Sequence, residues 1–177
     1  TAYVRDHNLF VIDGEGRVRQ ISTDGSREMV YGVTAYREMF GIYKGTFWNP
    51  DGSRLAFYRM DQTMVPDYPL VDVDPDSMAV LAPEKYPMAG RTTHEVTIGV
   101  YDVKSDKTIY LKVGSPKDRY FVNIGWSPDG KTIYLKEFNR KQNEMSLDAY
   151  DAVTGDKRAT LYTERHEKYI SSYTSVA

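Results

Sequence analysis

Few side chains in this sequence can hold charge where it would matter, and Glu38 is the first of them. It lies in Tyr36-Arg37-Glu38-Met39-Phe40, inside a stretch from Thr34 to Phe40 that has no strand alternation. A carboxylate holds an ammonium ion best where water is partly excluded, because charge-assisted hydrogen bonds strengthen there. Tyr36, Phe40 and Tyr43 could supply such surroundings. The alternative is a glutamate on a solvated turn, paired with Arg37 or Lys44, and on the residues alone that is the simpler reading.

Acyl transfer needs a nucleophile, a base and an oxyanion hole. The closest approach to the Gly-x-Ser-x-Gly elbow is Gly125-Trp126-Ser127-Pro128-Asp129, which lacks the last glycine. Ser127 is also explained as a turn residue, so no catalytic role is assigned to it. His7, His94 and His166 fall near strand edges or in the tail and are expected to face solvent. A catalytic triad is therefore not expected in this chain. Asp72-Val73-Asp74-Pro75-Asp76 has the acidic spacing of a calcium loop, but Ser77 and Pro83 stand where that loop needs glycine and glutamate. An exposed acidic loop is the expectation, with no metal and no cofactor.

The elements that must position these residues are strands. Fifteen tyrosines, with many Val, Ile and Thr, favour sheet over helix. Phe47-Trp48-Asn49-Pro50-Asp51-Gly52 leading to Leu55-Ala56-Phe57-Tyr58 reads as a hairpin, with proline presetting one turn position and glycine accepting another. The unit recurs at Gly125-Trp126-Ser127-Pro128-Asp129-Gly130, with Trp48 and Trp126 in equivalent, core-forming places. A second hairpin type repeats around Asp13, Asp102 and Asp151. Asp102 and Asp151 are 49 residues apart, and Asp13 and Asp102 are 89 apart. A period of about 40–50 residues holding four short strands is the signature of propeller blades.

The expected fold is therefore all-β, a partial β-propeller of about two and a half four-stranded antiparallel blades. The divisions are Tyr3 to Ile21, Gly45 to Leu111 and Phe121 to Tyr162, with a tail from Thr163 that would begin another blade. A β-sandwich of about ten strands is the rival. The excess length lies in an insertion, Asp61 to Thr93, whose prolines at 66, 69, 75, 83 and 87 prevent a regular helix. It is too apolar for a solvated linker and reads as an extended arm that packs on something.

Composition narrows the function classes. A formal net charge of -2 gives no field for nucleic acid or an anionic membrane. No apolar run is long enough to span a bilayer. Cysteine is absent, which removes disulfides and thiol chemistry. The chain opens in strand-like sequence without a signal peptide, as though cut from something longer.

Several elements together resemble a known family. They are Phe47-Trp48-Asn49-Pro50-Asp51-Gly52 with Leu55 to Arg59, Met64-Val65-Pro66, Lys85-Tyr86-Pro87-Met88-Ala89-Gly90, and Asn139-Arg140-Lys141-Gln142-Asn143. In order and over nearly the whole chain, they resemble the N-terminal propeller domain of dipeptidyl peptidase IV, in the prolyl oligopeptidase class of serine peptidases. The bacterial members look closest.

The resemblance implies an eight-bladed propeller joined to a C-terminal α/β-hydrolase domain that is absent from this segment. It implies removal of N-terminal dipeptides with proline or alanine second, and a periplasmic or secreted location. In the family a glutamate pair on a short propeller segment binds the substrate's free amine. Here only Glu38 is acidic, with Arg37 or Met39 in the partner position. The insertion at 61–93 matches the family's dimerisation arm, so the implied partners are a peptide with a free N-terminus and a second copy of the chain. A non-catalytic propeller or sandwich module that binds a protein partner is the other function class the sequence allows.

Overall fold

A computed structural model describes residues 1–74 and 78–170, without the side chains of Arg37 and Glu38. The first strands are β1 (Ala2–Arg5), β2 (Asn8–Ile12), β3 (Val18–Gln20) and β4 (Met29–Tyr31). A 3-10 helix, Tyr36–Gly41, precedes β5 (Thr46–Trp48) and β6 (Arg54–Asp61). Four two-residue strands follow: β7 (Asp67–Tyr68), β8 (Val71–Asp72), β9 (Val80–Leu81) and β10 (Glu84–Lys85). The chain continues with β11 (Glu95–Asp102), β12 (Lys107–Tyr110), β13 (Arg119–Trp126), β14 (Thr132–Asn139), β15 (Glu144–Asp151) and β16 (Lys157–Arg165). Every strand pair is antiparallel. The all-β expectation holds.

Three larger sheets carry the architecture. The first has the order β1-β2-β3, the second β12-β11-β6-β4 with β5 also on β6, and the third β13-β14-β15-β16. β6 explains how they stack. Its side chains alternate between two cores, as a strand's period of two requires. Leu55 and Phe57 join Leu9, Val11, Tyr31 and Tyr101 in the core shared with the first sheet. Ala56, Tyr58 and Met60 join Tyr120, Phe121, Val122 and Phe138 in the core shared with the third. A strand buried on both faces must be apolar almost throughout, which is why Leu55-Ala56-Phe57-Tyr58 lacks polar alternation. Each large side chain fully buried here stabilises the fold by about 1.5–3 kcal/mol.

The two recurring hairpins close by one device. Gly52 N–H donates to the Asn49 carbonyl at 3.1 Å, and Gly130 N–H to the Ser127 carbonyl at 2.9 Å. The buried side chains at these equivalent positions then hold the returning strand: Asn49 Oδ1 accepts Arg54 N–H at 2.9 Å and Ser127 Oγ accepts Thr132 N–H at 2.9 Å. The second hairpin type is tied by its aspartate. Asp13, Asp102 and Asp151 each accept backbone N–H groups from the turn that follows and pair with an arginine.

Between Asp61 and Thr93 the chain makes a narrow ribbon. β7 pairs with β10 and β8 with β9, each ladder two residues long. The sequence lacks strand alternation here because runs that short cannot display it. The ribbon's base is fixed by Arg27, which reaches Asp67 at 2.8 Å and the Pro83 carbonyl at 2.7 Å. Farther along, Val71, Val73, Met78 and Leu81 are exposed. At the other end of the chain β16 runs to Arg165, opposite Glu144, three residues past the expected boundary at Tyr162. Residues 171–177 of the tail, expected to begin a further unit, lie outside the described residues.

Candidate functional site

The site grows out of an interruption in the second sheet. β4 pairs with β6 at Arg59 to Asp61, and β5 pairs with it at Leu55 to Phe57. Between those registers both polar backbone groups of Tyr58 are used. Gly32 N–H donates to its carbonyl at 2.8 Å, and its own N–H donates to the Gly45 carbonyl at 3.0 Å. β4 and β5 are thus two halves of one row, and the chain leaves it after Gly32 and rejoins at Gly45. The two ends touch: a Cβ on Gly45 would lie 2.1 Å from the Val33 carbonyl oxygen and 2.5 Å from the Gly32 carbonyl carbon. No residue with a side chain fits there, since both obstacles are backbone. Residues 33–44 are pinched off as a closed excursion, and the 3-10 helix lies on it.

Two aromatic residues anchor that helix, both in the left-handed backbone region, Tyr36 at φ 59° and Phe40 at φ 63°. Such strain costs on the order of 1–3 kcal/mol per residue and persists only where surroundings enforce it. For Tyr36 the enforcement is visible. The ring is buried, stacked on His94 with centroids 5.1 Å apart and edge-on to Tyr120 at 5.1 Å. Its hydroxyl accepts the Phe121 N–H at 2.9 Å and faces the Arg119 carbonyl at 3.4 Å. Burial pushes this phenol well above its ordinary pKa, so it stays a neutral donor and acceptor. Phe40 stacks on Phe138 with centroids 5.5 Å apart. Glu38 stands between these anchors in the chain.

Beside the helix is a cavity of about 430 Å³. Tyr36 and Met39 line it from the 3-10 helix. Tyr86, Pro87 and Ala89 line it from the end of the ribbon, Thr93 and His94 from the approach to β11, Tyr120 from β13, and Arg140 and Gln142 from the turn between β14 and β15. That turn is built by its own asparagines. Asn139 Oδ1 accepts the N–H groups of Asn143 at 3.0 Å and Glu144 at 3.2 Å, while Asn139 Nδ2 donates to Asn143 Oδ1 at 2.8 Å. Arg140 donates to the Tyr120 hydroxyl and, at 3.2 Å, to the Arg91 carbonyl, and lies 3.7 Å from the Asp118 carboxylate. Burial raises the Tyr120 pKa, and the Arg140 guanidinium works against that rise.

The sequence-derived residues divide. Tyr36 and Phe40 are buried and in edge-on contact with each other, whereas Tyr43 is 77% exposed. The side chains of Glu38 and Arg37 lie outside the described residues, and the Lys44 ammonium stands over the Phe47 ring at 5.1 Å from its centroid. Ser127 is a turn residue, its hydroxyl donating to Asp129 at 2.6 Å. Trp126 donates to the Phe47 carbonyl at 3.0 Å across the two sheets. In the Asp72 to Asp76 run, Asp74 N–H donates to Asp72 Oδ1 at 3.0 Å, and Pro75 and Asp76 lie outside the described residues. Among the described residues no three His, Asp or Glu side chains gather as a metal site would require, and no helix is long and apolar enough to cross a membrane.

His94 corrects the sequence expectation. It is 4% exposed, not solvent-facing, because Tyr36 covers it. Its polar neighbours Thr92, Thr93 and Glu95 gave no sign of that. Two elements singled out in the sequence, Tyr86-Pro87-Met88-Ala89-Gly90 and Asn139 to Asn143, are far apart in the chain, yet residues of both line the cavity beside the 3-10 helix.

The chain is similar to the probable dipeptidyl-aminopeptidase B of Phaeosphaeria nodorum, 30% identical over 164 residues, covering 82% of this chain and 18% of the relative. With that of Talaromyces marneffei it is 29% identical over 164 residues, covering 80% of this chain and 18% of the relative. Among solved structures it resembles a candidate dipeptidyl aminopeptidase IV from Bacteroides ovatus, with TM-score 0.88 and 44% identity, covering 98% of this chain and 24% of that one. It also resembles dipeptidyl peptidase 4 of Porphyromonas gingivalis, with TM-score 0.86 and 25% identity, covering 95% of this chain and 24% of that one. The chain thus spans about a fifth to a quarter of the length of these relatives. The model of the dipeptidyl peptidase IV (DPP IV) N-terminal region matches residues 1–177, the whole sequence, and the chain belongs to that family.

Proposed function

We propose that the parent protein is a serine-type dipeptidyl peptidase that removes dipeptides from peptide N-termini, preferring proline or alanine second. This segment contributes recognition of the substrate's free amine, and bond cleavage belongs to an α/β-hydrolase domain outside it. The observation that carries the reading is the pinched excursion at 33–44. It carries one acidic residue, Glu38, on a short helix held by buried aromatics, and beside that helix lies a cavity lined in part by Tyr86, Pro87 and Ala89 and by Arg140 and Gln142. A carboxylate there can accept hydrogen bonds from an ammonium group, and partial exclusion of water strengthens them.

The three stacked antiparallel sheets are read as successive blades, about two and a half of them, in an arc of a larger propeller. The ribbon at 61–93 is read as an arm for homodimerisation, supported by its exposed Val71, Val73, Met78 and Leu81. A periplasmic or secreted location fits a peptidase acting on extracellular peptides.

Replacing Glu38 by Gln in the full-length enzyme tests the reading. Loss of a charge-assisted bond of about 1.5–3 kcal/mol lowers kcat/KM for Gly-Pro-nitroanilide roughly ten- to hundred-fold. Unchanged kinetics would remove Glu38 from substrate recognition.

A further inference from the structure

The 3-10 helix owes its place to a contact that skips more than eighty residues of chain. The Tyr36 side chain ties the helix to another sheet: its hydroxyl takes the Phe121 N–H at 2.9 Å and faces the Arg119 carbonyl at 3.4 Å, both on β13. The ring is clamped on one face by His94 and at its edge by Tyr120, each with centroids 5.1 Å away. The backbone at Tyr36 is in the left-handed region, at φ 59°, which a bulky aromatic adopts only when its surroundings impose it. One residue, Arg37, separates Tyr36 from Glu38, and all three belong to the same 3-10 helix.

We infer that Tyr36 is a positioning residue for amine recognition: it locks the 3-10 helix against β13 and so sets where the Glu38 carboxylate meets the substrate ammonium. This rests on the amine-binding reading of Glu38. The physical basis is preorganisation. A carboxylate that must be ordered on binding loses affinity to that ordering, whereas one already held does not. Tyr36→Phe keeps the ring and its stacking but removes the hydroxyl, and with it the hydrogen bonds from Tyr36 to the β13 backbone, leaving the buried Phe121 N–H without its acceptor. The effect belongs in KM rather than kcat, because the reacting bond is not touched.

The test is a double-mutant cycle in the full-length enzyme with Gly-Pro-nitroanilide, using wild type, Tyr36→Phe, Glu38→Gln and the double variant. Tyr36→Phe is expected to raise KM roughly five-fold with kcat nearly unchanged. In the Glu38→Gln background the same substitution is expected to do almost nothing. Equal effects in both backgrounds, or a lowered melting temperature with unchanged KM, would make Tyr36 a structural residue and overturn the inference while leaving the role of Glu38 intact. If Glu38→Gln itself has no effect, the amine reading fails and the inference falls with it. Should Tyr36→Phe not fold, His94→Leu, which removes the ring stacked on the face of Tyr36, enters the same cycle with the same two outcomes.

Discussion

Gly45→Ala is the sharpest perturbation of the frame that holds the site. The added carbon would lie 2.1 Å from the Val33 carbonyl oxygen and 2.5 Å from the Gly32 carbonyl carbon. Neither neighbour is the end of a flexible side chain, so the two ends of the excursion must separate. Overpacking of this kind costs about 1–3 kcal/mol. Separation also weakens the 3.0 Å bond from Tyr58 N–H to the Gly45 carbonyl, about 1 kcal/mol more. The stiffer unfolded chain returns about 0.4–1 kcal/mol. The net expectation is about 2–3 kcal/mol, a large share of the 5–15 kcal/mol or so that separates folded from unfolded domains. Gly14→Ala is the control, since nothing lies within 4 Å of its added carbon. Urea unfolding of the two variants side by side gives the difference, and hydrogen exchange over residues 32–45 locates it. If Gly45→Ala is no more destabilising than Gly14→Ala, and exchange in the excursion is unchanged, the pinch does not hold the 3-10 helix in place.

Three further outcomes follow from the same contacts. Phe57→Ala empties the centre of the core between the first two sheets, where Phe57 is fully buried, and should cost about 3–5 kcal/mol in denaturant unfolding. In acid, Asp13 is held down at about 2, first by the Arg17 N–H, and Asp151 is also held low, first by Arg158. Folded pKa values below the unfolded ones mean that their stabilisation is present at neutral pH and lost as pH falls from about 4 through the folded values. Thermal melts between pH 5 and 2.5 should therefore decline, less steeply in Asp151→Asn, and an unchanged slope would contradict the role given to that turn. Replacing residues 70–88 by a short Gly-Ser linker should turn a dimer into a monomer by light scattering, and a dimer indifferent to the replacement would discard the ribbon as the interface.

The hairpins were legible because their signals are local. Trp-x-Pro-Asp-Gly and the Asp-led turns close within a few residues, and the side chains that close them, Asn49, Ser127, Asp102 and Asp151, are in the motifs themselves. β4 was not legible. Three residues cannot show an alternation, and Met29–Tyr31 is a strand only because β6 offers Arg59 to Asp61 as partners. Its one trace was a pair of glycines, Gly32 and Gly45, whose meaning depends on their meeting in space. The burial of His94 was hidden for the same reason, since the ring that covers it comes from Tyr36. The aromatic surround of the 3-10 helix could be half read: Tyr36 and Phe40 were evident, whereas Tyr120 and Phe138 arrive through the third sheet. Long-range packing, invisible to spacing, decided each of these.

The central claim is that this segment holds the substrate's free amine through Glu38. Calorimetry of the full-length enzyme, as wild type and as Glu38→Gln, with a proline-second dipeptide and its N-acetylated counterpart, tests it most directly. The account predicts that the substitution weakens the free-amine ligand by roughly ten-fold or more and leaves the acetylated ligand, which carries no ammonium, unaffected. Equal weakening of both ligands would mean that Glu38 supports the fold instead of reading the amine.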